Sequence, residues 1–327
     1  MDVLDRRLIA ALQVSPRAAW GEIARVVGEH ERTVARRLQR VLNEGLVRVT
    51  AIYDDLRTGH GRPVHLHVQV QPGASAQVAH ALSERQDTRS VYGLTGEADI
   101  GCELVAPTRE RLHEIVSAQI TEIDGVLQTR TQVVLHTFTT VADWHAPFLT
   151  AEEVAELRQS PPGGLPHPDE EGLSPLEQEI AELLTLDGRI AFTAIADKLD
   201  ISVPTARRRV ASLLERRLIL PRAEVEPALL GLEVEAQIWL RVRPHGLDPV
   251  GQAMAAHPNV RYCAATSGTH SVIVQVVAAH EADLYRFITH VVGSLDEVTD
   301  VNVTLITRAH KRGHLRKSGL LTLERTP

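Results

Sequence analysis

An internal repeat constrains the fold of this chain more than any other feature. The segment "TVARRLQRVLNEGLVRV" begins at Thr33, and the similar segment "TARRRVASLLERRLIL" begins at Thr205. The shift that places Thr33 on Thr205 aligns the two halves without a gap. Aligned pairs include Arg17 with Arg189, Gly59 with Gly231, Gly96 with Gly268 and Val126 with Val298. A unit at about 4–136 therefore recurs at about 176–308, which predicts two copies of one architecture.

Each copy begins with three amphipathic segments. Leu4 and Leu8 start a first helix, and a short second helix ends at Gly28. In the third segment Val34 and Leu38 are spaced to face inward. The side chains left outside are Arg32, Thr33, Arg36, Arg37 and Arg40 in the first copy and Thr205, Arg207, Arg208 and Arg209 in the second. This is the layout of a helix-turn-helix, whose third helix enters the DNA major groove.

The charge pattern supports DNA as a partner at these two helices only. The whole chain has a net charge of −7, so a general coat of nucleic acid is not expected. The residues that we expect to read base edges are Arg32, Thr33, Arg36, Thr205, Arg207 and Arg208. Those that we expect to contact phosphates are Arg37, Arg40, Arg48, Arg209 and Arg222. The basic stretch from Arg308 to Lys317 is a further candidate for phosphate contacts.

After each third helix the apolar pattern changes from a helical period to alternation. In the first copy "HLHVQVQP", "TRSVYGLTG", "ADIGCELVA" and "VLQTRTQVVLHTF" read as strands, and "SAQVAHALSER" and "TRERLHEIVSAQI" as helices. The second copy gives the same order, βαββαβ, which is the ferredoxin-like arrangement. The predicted fold class is therefore α+β, with two repeats of a winged helix-turn-helix domain followed by a ferredoxin-like domain.

The predicted domains follow the repeat. Their limits are 1–50 and 51–141 for the helix-turn-helix and ferredoxin-like domains of the first copy, 142–174 for a linker, 175–222 and 223–310 for the second copy, and 311–327 for a basic tail. Within the acidic linker we expect a short helix at about 150–158 and an extended break at about 159–174. The linker's acidity should keep it away from DNA.

Composition excludes several other classes. Cys102 and Cys263 are the only cysteines and lack the spacing of a zinc site or a disulfide framework. The N-terminus is charged, and no stretch of 18 apolar residues occurs. We therefore expect a cytoplasmic protein with no cofactor, no metal and no membrane partner.

The combined pattern resembles the Lrp/AsnC (feast/famine) family of prokaryotic transcription regulators. The stretches that carry the resemblance are "LDRRLIAALQVSPRAAWGEIARVVG", "TVARRLQRVLNEGLV", "GEAD" at 96–99 and "EIDGV" in the first half, and "TARRRVASLLERRLI" and "GTHS" at 268–271 in the second. The resemblance implies a DNA-binding regulator, not an enzyme. Because such regulators usually carry one unit and pair into dimers, this chain resembles a covalent dimer with two non-identical reading helices. Self-association to a homodimer through sheet faces or edges is also expected.

The resemblance also implies an amino acid or a related small effector at loops of the ferredoxin-like domains. The matching residues are Gly96, Glu97 and Asp99 in the first unit and Gly268, Thr269 and Ser271 in the second. The first set offers carboxylates to an ammonium group, whereas the second has lost both acids, so the two sites are expected to differ. The same loops allow a plainer interpretation, in which Gly96 and Gly268 only supply tight hairpin turns.

Some residues also fit two other interpretations, a metal site and an enzyme. His65 and His67 lie at alternate positions of one predicted strand, but no third ligand at a matching spacing is evident. The chain also resembles the siroheme decarboxylases, which have the same two-domain layout. These enzymes typically carry a His-Asn-Tyr-x-Arg-like run, which this chain lacks. Arg89, Tyr92, Arg261 and Tyr262 keep that alternative open. A partner-binding module that has lost DNA binding is disfavoured by the arginines of the third helices.

Overall fold

The computed structural model describes residues 1–158, 172–313, 315–317 and 322–325. The first half consists of α1 (Val3–Val14), α2 (Trp20–Val27), α3 (Glu31–Asn43), β1 (Val47–Tyr53), β2 (Arg62–Val70), α4 (Ser75–Glu84), β3 (Thr88–Leu94), β4 (Ile100–Ala106), α5 (Arg109–Glu114) and β5 (Val126–Thr139). Helix α6 (Ala151–Leu157) follows. The second half consists of α7 (Pro175–Leu186), α8 (Phe192–Leu199), α9 (Val203–Glu215), β6 (Ile219–Val225), β7 (Val234–Val242), α10 (Leu247–Ala255), β8 (Val260–Thr266), β9 (Val272–Ala278), α11 (Glu281–Arg286) and β10 (Val298–Arg312), and then β11 (Leu315–Lys317) and β12 (Leu323–Arg325).

The three helices at the start of each half pack around aliphatic side chains. Val34 and Leu38 of α3 are buried, as their spacing predicts, and Gly28 ends α2 in a left-handed conformation. Helix α9 begins at a capped position, because the Ser202 hydroxyl accepts a hydrogen bond from the Thr205 amide at 3.3 Å. The His30 side chain makes no such bond at the start of α3. We refer to α1–α3 as the first head and to α7–α9 as the second head.

Strands β1 and β6 form an antiparallel ribbon between the heads. Thr50 pairs with Arg222, which is its own counterpart under the repeat shift, so the approximate two-fold axis of the chain crosses the ribbon there. Each strand packs on the opposite head: Ala51 lies in the core of the second head, and Ala223 lies in that of the first. The ribbon therefore fixes the two heads to one another.

A reciprocal pair of arginines also joins the heads. Arg17 donates to the carbonyl oxygens of Gly188 and Ile190 at 2.5 and 3.2 Å. Arg189 donates to the equivalent oxygens of Pro16 and Ala18 at 2.7 and 2.9 Å. Each guanidinium also stacks on an aromatic ring of the opposite head. We call this contact the arginine clasp.

Eight of the remaining strands form one closed ring, and β11 and β12 pair beside β10 outside it. The order in the ring is β3-β4-β2-β5-β8-β9-β7-β10, and β10 pairs again with β3. Strands β5 and β8 join the halves on one side, and β10 and β3 join them on the other. The strand edges that a single unit would leave free for a partner chain are thus paired within this chain.

The interior of the ring is partly polar. His65 is buried there, and its Nε2 lies 3.3 Å from the Tyr262 hydroxyl. Trp239 packs edge-on against both His65 and His67. Burial lowers the pKa of His65 to about 3 and that of His67 to about 4, so both imidazoles are neutral at pH 7. These residues separate two cavities at opposite ends of the interior.

The linker is more ordered than predicted in its first part. The predicted short helix is α6, and Trp144, Ala146 and Leu157 join the core of the first head. Two acidic side chains of α6 are neutralised, because Glu153 pairs with Arg7 at 2.5 Å and Glu156 pairs with Arg25. The predicted break at 159–174 lies mostly outside the described residues. Among the described helices, none combines the length and apolar character needed to cross a membrane.

Candidate nucleic-acid interface and ligand cavities

The third helices present several cations to solvent. Arg32 and Arg36 are exposed on α3, and Arg207 and Arg208 are exposed on α9. Within the described part of the chain, Arg32, Arg36 and Arg208 make no ion pair and no side-chain hydrogen bond. Arg207 lies over the Phe192 ring at 5.4 Å and stays exposed. A free exposed guanidinium can donate two parallel hydrogen bonds to guanine or phosphate.

Other predicted DNA contacts are already held within the heads. Arg37 binds Asp2 at 2.6 Å and Asp5 at 2.9 Å, and Arg40 binds Asp5 at 2.8 Å. The hydrogen bonds to Asp2 and Asp5 raise the pKa of Arg37 above its usual value. In the second head Arg209 lies 3.9 Å from Glu177, the counterpart of Asp5. These three arginines bind the third helix to the first helix of each head.

Three further predicted contacts lie at half-buried positions. Thr33 and Thr205 are partly buried in the first turn of their helices, and the Thr205 hydroxyl lies 2.9 Å from that of Ser202. Arg48 donates to the carbonyl oxygens of Leu42 and Leu323, both at 3.1 Å. These two hydrogen bonds leave the Arg48 guanidinium less available to a DNA phosphate than its position on the ribbon suggests.

Two expectations about basic residues are wrong. Arg222 is buried and paired with Glu224, because the ribbon face that bears it packs on the sheets. Lys311 and Arg312 are buried at the end of β10, and Arg316 pairs with Glu84. These side chains are buried or ion-paired within the fold, so the predicted phosphate contacts by Arg222 and by this part of the tail are wrong.

One end of the strand ring holds a cavity of about 360 Å³, which we call the sheet cavity. Loops from both halves meet there, so the structure forms one shared cavity at the pseudo-two-fold axis where the sequence suggested two. Glu97, Gly268 and Thr269 of the predicted effector residues line it. Its other main lining residues are His67, Gln69, Arg130, Gln132, Trp239, His270, Asn302 and Thr304.

The remaining predicted effector residues shape the loops. The Asp99 carboxylate accepts a hydrogen bond from the Val70 amide at 2.8 Å, and the Ser271 hydroxyl accepts the equivalent bond from Val242 at 3.2 Å. Neither residue lines the sheet cavity. Gly96 and Gly268 have φ values of +92° and +103°. Their tight turns require this left-handed backbone, which glycine adopts readily. Only Glu97 keeps its carboxylate at the cavity, where Arg130 lies 3.1 Å away.

Sequence reasoning missed Trp239. Its Nε1 is buried without a hydrogen-bond partner among the described residues, although the side chain lines the sheet cavity. A buried donor without an acceptor is costly and is expected where a ligand supplies the acceptor. Trp239 is the repeat counterpart of His67, and both lie on the strand face opposite the helices. The repeat alignment pairs these two positions, but it does not show that both side chains line one cavity.

A second cavity, of about 130 Å³, lies between the ribbon and the sheets, and we call it the junction cavity. Its walls include Arg89, Tyr92, Arg261 and Tyr262, the four residues that kept the decarboxylase alternative open. Both arginines are occupied: Arg89 pairs with Asp55 at 2.9 Å, and Arg261 pairs with Glu235 at 2.9 Å and with Glu224 at 3.1 Å. A carboxylate ligand would have to compete with these acids.

Family models and curated relatives identify the chain. The Lrp/AsnC ligand binding domain matches residues 64–141 and 235–315, and the AsnC-type helix-turn-helix domain matches residues 1–41. A winged helix-turn-helix DNA-binding model matches residues 173–219. The HTH-type transcriptional regulator LrpA of Pyrococcus horikoshii is 32% identical over 128 residues, which is 39% of this chain and 91% of the relative. The chain belongs to the Lrp/AsnC family.

Other relatives of this Lrp/AsnC protein agree with that assignment. The HTH-type transcriptional regulator FL11 of Pyrococcus abyssi is 30% identical over 138 residues, which is 42% of this chain and 91% of the relative. Over the whole chain the fold is similar to a solved structure of the siroheme decarboxylase NirDL, with a TM-score of 0.62 and 14% identity. That alignment covers 97% of this chain and 95% of the decarboxylase. At this identity the likeness concerns the fold alone.

Proposed function

We propose that this Lrp/AsnC protein is a sequence-specific DNA-binding transcription regulator in which two units are fused in tandem. Each unit consists of a winged helix-turn-helix head and a ferredoxin-like ligand-binding domain. The observation that carries the proposal is the pair of heads, each with free arginines on its third helix, held together by the ribbon and the arginine clasp. The protein acts on double-stranded DNA in the cytoplasm.

The two heads read different half-sites. Under the repeat shift, Glu31 and Arg32 at the start of α3 correspond to Val203 and Pro204 at the start of α9. Differences at the first turn change the groups offered to base edges, because this turn lies deepest in the groove. The fused chain fixes the distance between two non-identical readers, so its operator is asymmetric.

The sheet cavity is the site of a single small effector. It contains contributions from both units, one ion pair between Glu97 and Arg130, and the unpartnered Trp239 Nε1. An amino acid or a related molecule with a carboxylate or carbonyl acceptor suits this set, since the indole can donate to that acceptor. Homodimer formation remains part of the proposal and would have to use surfaces other than the strand edges that are paired within the chain.

Fluorescence anisotropy with the protein's own upstream DNA tests the regulator function. The titrations use that duplex and a scrambled duplex of equal composition at two salt concentrations. We expect tight, salt-dependent preference for the upstream duplex and a loss of at least about 30-fold in Arg36→Ala/Arg208→Ala, since each of the two lost base contacts costs about 1–3 kcal/mol.

A matched control removes two exposed arginines far from the heads. Arg109→Ala/Arg286→Ala changes the net charge equally but leaves the third helices intact, so its specific affinity should stay within about twofold of the wild type. Equal, weak binding of both duplexes by wild type and the Arg36/Arg208 variant would contradict the regulator function.

A siroheme decarboxylase-like enzyme is the second candidate. The chain-wide fold likeness and the position of Arg89, Tyr92, Arg261 and Tyr262 in one cavity favour it. The acids paired with both arginines, and the absence from the sequence of the His-Asn-Tyr-x-Arg-like run, weigh against it. Absorbance titration with an iron-uroporphyrin III analogue separates the candidates, because saturable binding abolished by Arg261→Ala is expected only of the enzyme.

A further inference from the structure

The junction cavity lies where the heads meet the strand ring. The ribbon contributes Tyr53 and Leu220, and the ring contributes Tyr92, Glu103 and Tyr262. The sheet cavity lies on the other side of the buried His65–Tyr262 contact. A molecule in the junction cavity would therefore touch both the support of the DNA-binding heads and the ligand-binding sheets.

Most charges around this cavity cancel. Arg312 binds Glu235 at 2.5 Å and Glu226 at 3.3 Å, and Arg261 binds Glu235 and Glu224. The network contains Arg222, Arg261 and Arg312 against Glu224, Glu226 and Glu235. Three cations face three anions there, and the separate Arg89–Asp55 pair is also neutral.

Two lining carboxyls make no direct ion pair within the described residues, although arginines lie near both. Asp54 is only 6% exposed, and its Oδ2 has no hydrogen-bond partner among the described residues. Glu103 makes no ion pair and no side-chain hydrogen bond within the described chain, although it lines the cavity. A carboxylate that is shielded from water and makes no direct ion pair is costly, so these two side chains indicate a place where a ligand supplies the missing partner.

The rest of the wall is largely aromatic and aliphatic. Three tyrosine rings, Tyr53, Tyr92 and Tyr262, lie with Ile52, Leu56, Pro63, Val141 and Leu220 around the cavity. A volume of about 130 Å³ offers roughly ten water-sized positions. That matches a molecule of about ten non-hydrogen atoms with an apolar or aromatic body.

We propose that the junction cavity is a second ligand site, which binds a small organic cation by placing its ammonium group on Glu103 and Asp54 and its aromatic body among the tyrosines. The site is separate from the sheet cavity and does not depend on the proposed effector there. It also does not depend on DNA binding, so its test can fail or succeed independently of the regulator function.

Isothermal titration of the whole chain with three probes of similar size tests the proposal. Tyramine carries the cation, 4-hydroxyphenylethanol replaces it with a neutral hydroxyl, and 4-hydroxyphenylacetate replaces it with an anion. We expect tyramine to bind at least tenfold more tightly than the other two. Preference for the anion would show that the arginines select the ligand, and no tyramine binding at millimolar concentration would equally overturn the proposal.

Variants locate the binding. Glu103→Gln keeps the shape of the side chain and should weaken tyramine binding at least tenfold. Leu56→Trp, which fills the cavity from its loop wall, should do the same while leaving both carboxyls in place. Glu97→Gln, in the sheet cavity, is the matched control and should bind tyramine as the wild type does. Unchanged tyramine affinity in both Glu103→Gln and Leu56→Trp would refute the site.

The pH dependence provides a second readout. Burial and the neighbouring Asp55 raise the pKa of Glu103 to about 7, while Arg89 and Arg222 act in the opposite direction. The charged and titratable groups around Glu103 are Asp55, Arg89, Arg222, Tyr262, Cys102 and its cross-strand neighbour His65. Tyramine stays cationic between pH 6 and pH 8, so ionisation of Glu103 should tighten its binding several-fold over this interval. Glu103→Gln should abolish most of that change.

Discussion

Replacement of Glu103 by glutamine should make the ligand-free protein more stable, and more so at high pH. The pKa of this carboxyl rises from 4.5 in the unfolded chain to about 7 in the fold because of burial. A raised carboxyl pKa means that the folded state binds the proton more tightly than the unfolded state. Stability is therefore lost as pH rises from about 4.5 through about 7, and the full penalty is present above that range.

The pKa difference sets the magnitude. At about 1.4 kcal/mol for each pH unit, the ionised carboxyl costs up to about 3 kcal/mol at pH 8 and less than about 1 kcal/mol at pH 5. Glutamine is nearly isosteric and neutral, so it removes this cost while keeping the packing. We expect the stabilising effect of Glu103→Gln to be about 2 kcal/mol larger at pH 8 than at pH 5, since the cavity solvates part of the charge.

Thermal unfolding of wild type and variant at pH 5 and pH 8 measures the difference. A gain of about 2 kcal/mol should raise Tm by a few degrees in a chain of this size. Glu97→Gln, at a side chain that is 71% exposed, is the control for the same chemical change outside the cavity. If Glu103→Gln lowers Tm at pH 8, then Glu103 stabilises the fold and the reasoning about an uncompensated charge is refuted.

Two further predictions concern the heads. Arg37→Ala should destabilise the first head by about 1–3 kcal/mol, because Asp5 is only 5% exposed and would keep only its ion pair with Arg40 among the described residues. Amide exchange in α1 and α3 should become faster, and unchanged exchange would contradict this prediction. Arg17→Ala/Arg189→Ala should open the arginine clasp. It should weaken binding to a duplex with both half-sites more than binding to a duplex with one half-site. Fluorescence anisotropy measures both affinities, and an equal loss on the two duplexes would argue against coupling of the two heads by the clasp.

The order of elements was largely predictable because it depends on local pattern. Apolar spacing located the helices of both heads, and Ser202 capped α9 as expected. Alternation located the strands, and the predicted linker helix is α6. The same helical period predicted that the arginines of the third helices are exposed, since a helix with one buried face must expose the other.

The site was only partly predictable because long-range packing decides it. Arg222 and Arg312 belong to a basic pattern in the sequence, yet both are buried among glutamates from other strands. Asp99 was expected at a ligand, but it binds the Val70 amide of a neighbouring strand. Charge along the chain does not show which partner a folded side chain meets.

The sequence by itself determined the repeat, the helical and strand periods and the arginine-bearing faces, because these depend on residues a few positions apart. Only the tertiary structure decided that eight strands close into one ring, that loops from both halves share one cavity, and that Glu103 and Asp54 line a second cavity. Those outcomes depend on pairings between β5 and β8 and between β10 and β3. Such contacts join residues more than one hundred positions apart, whose register no local pattern specifies.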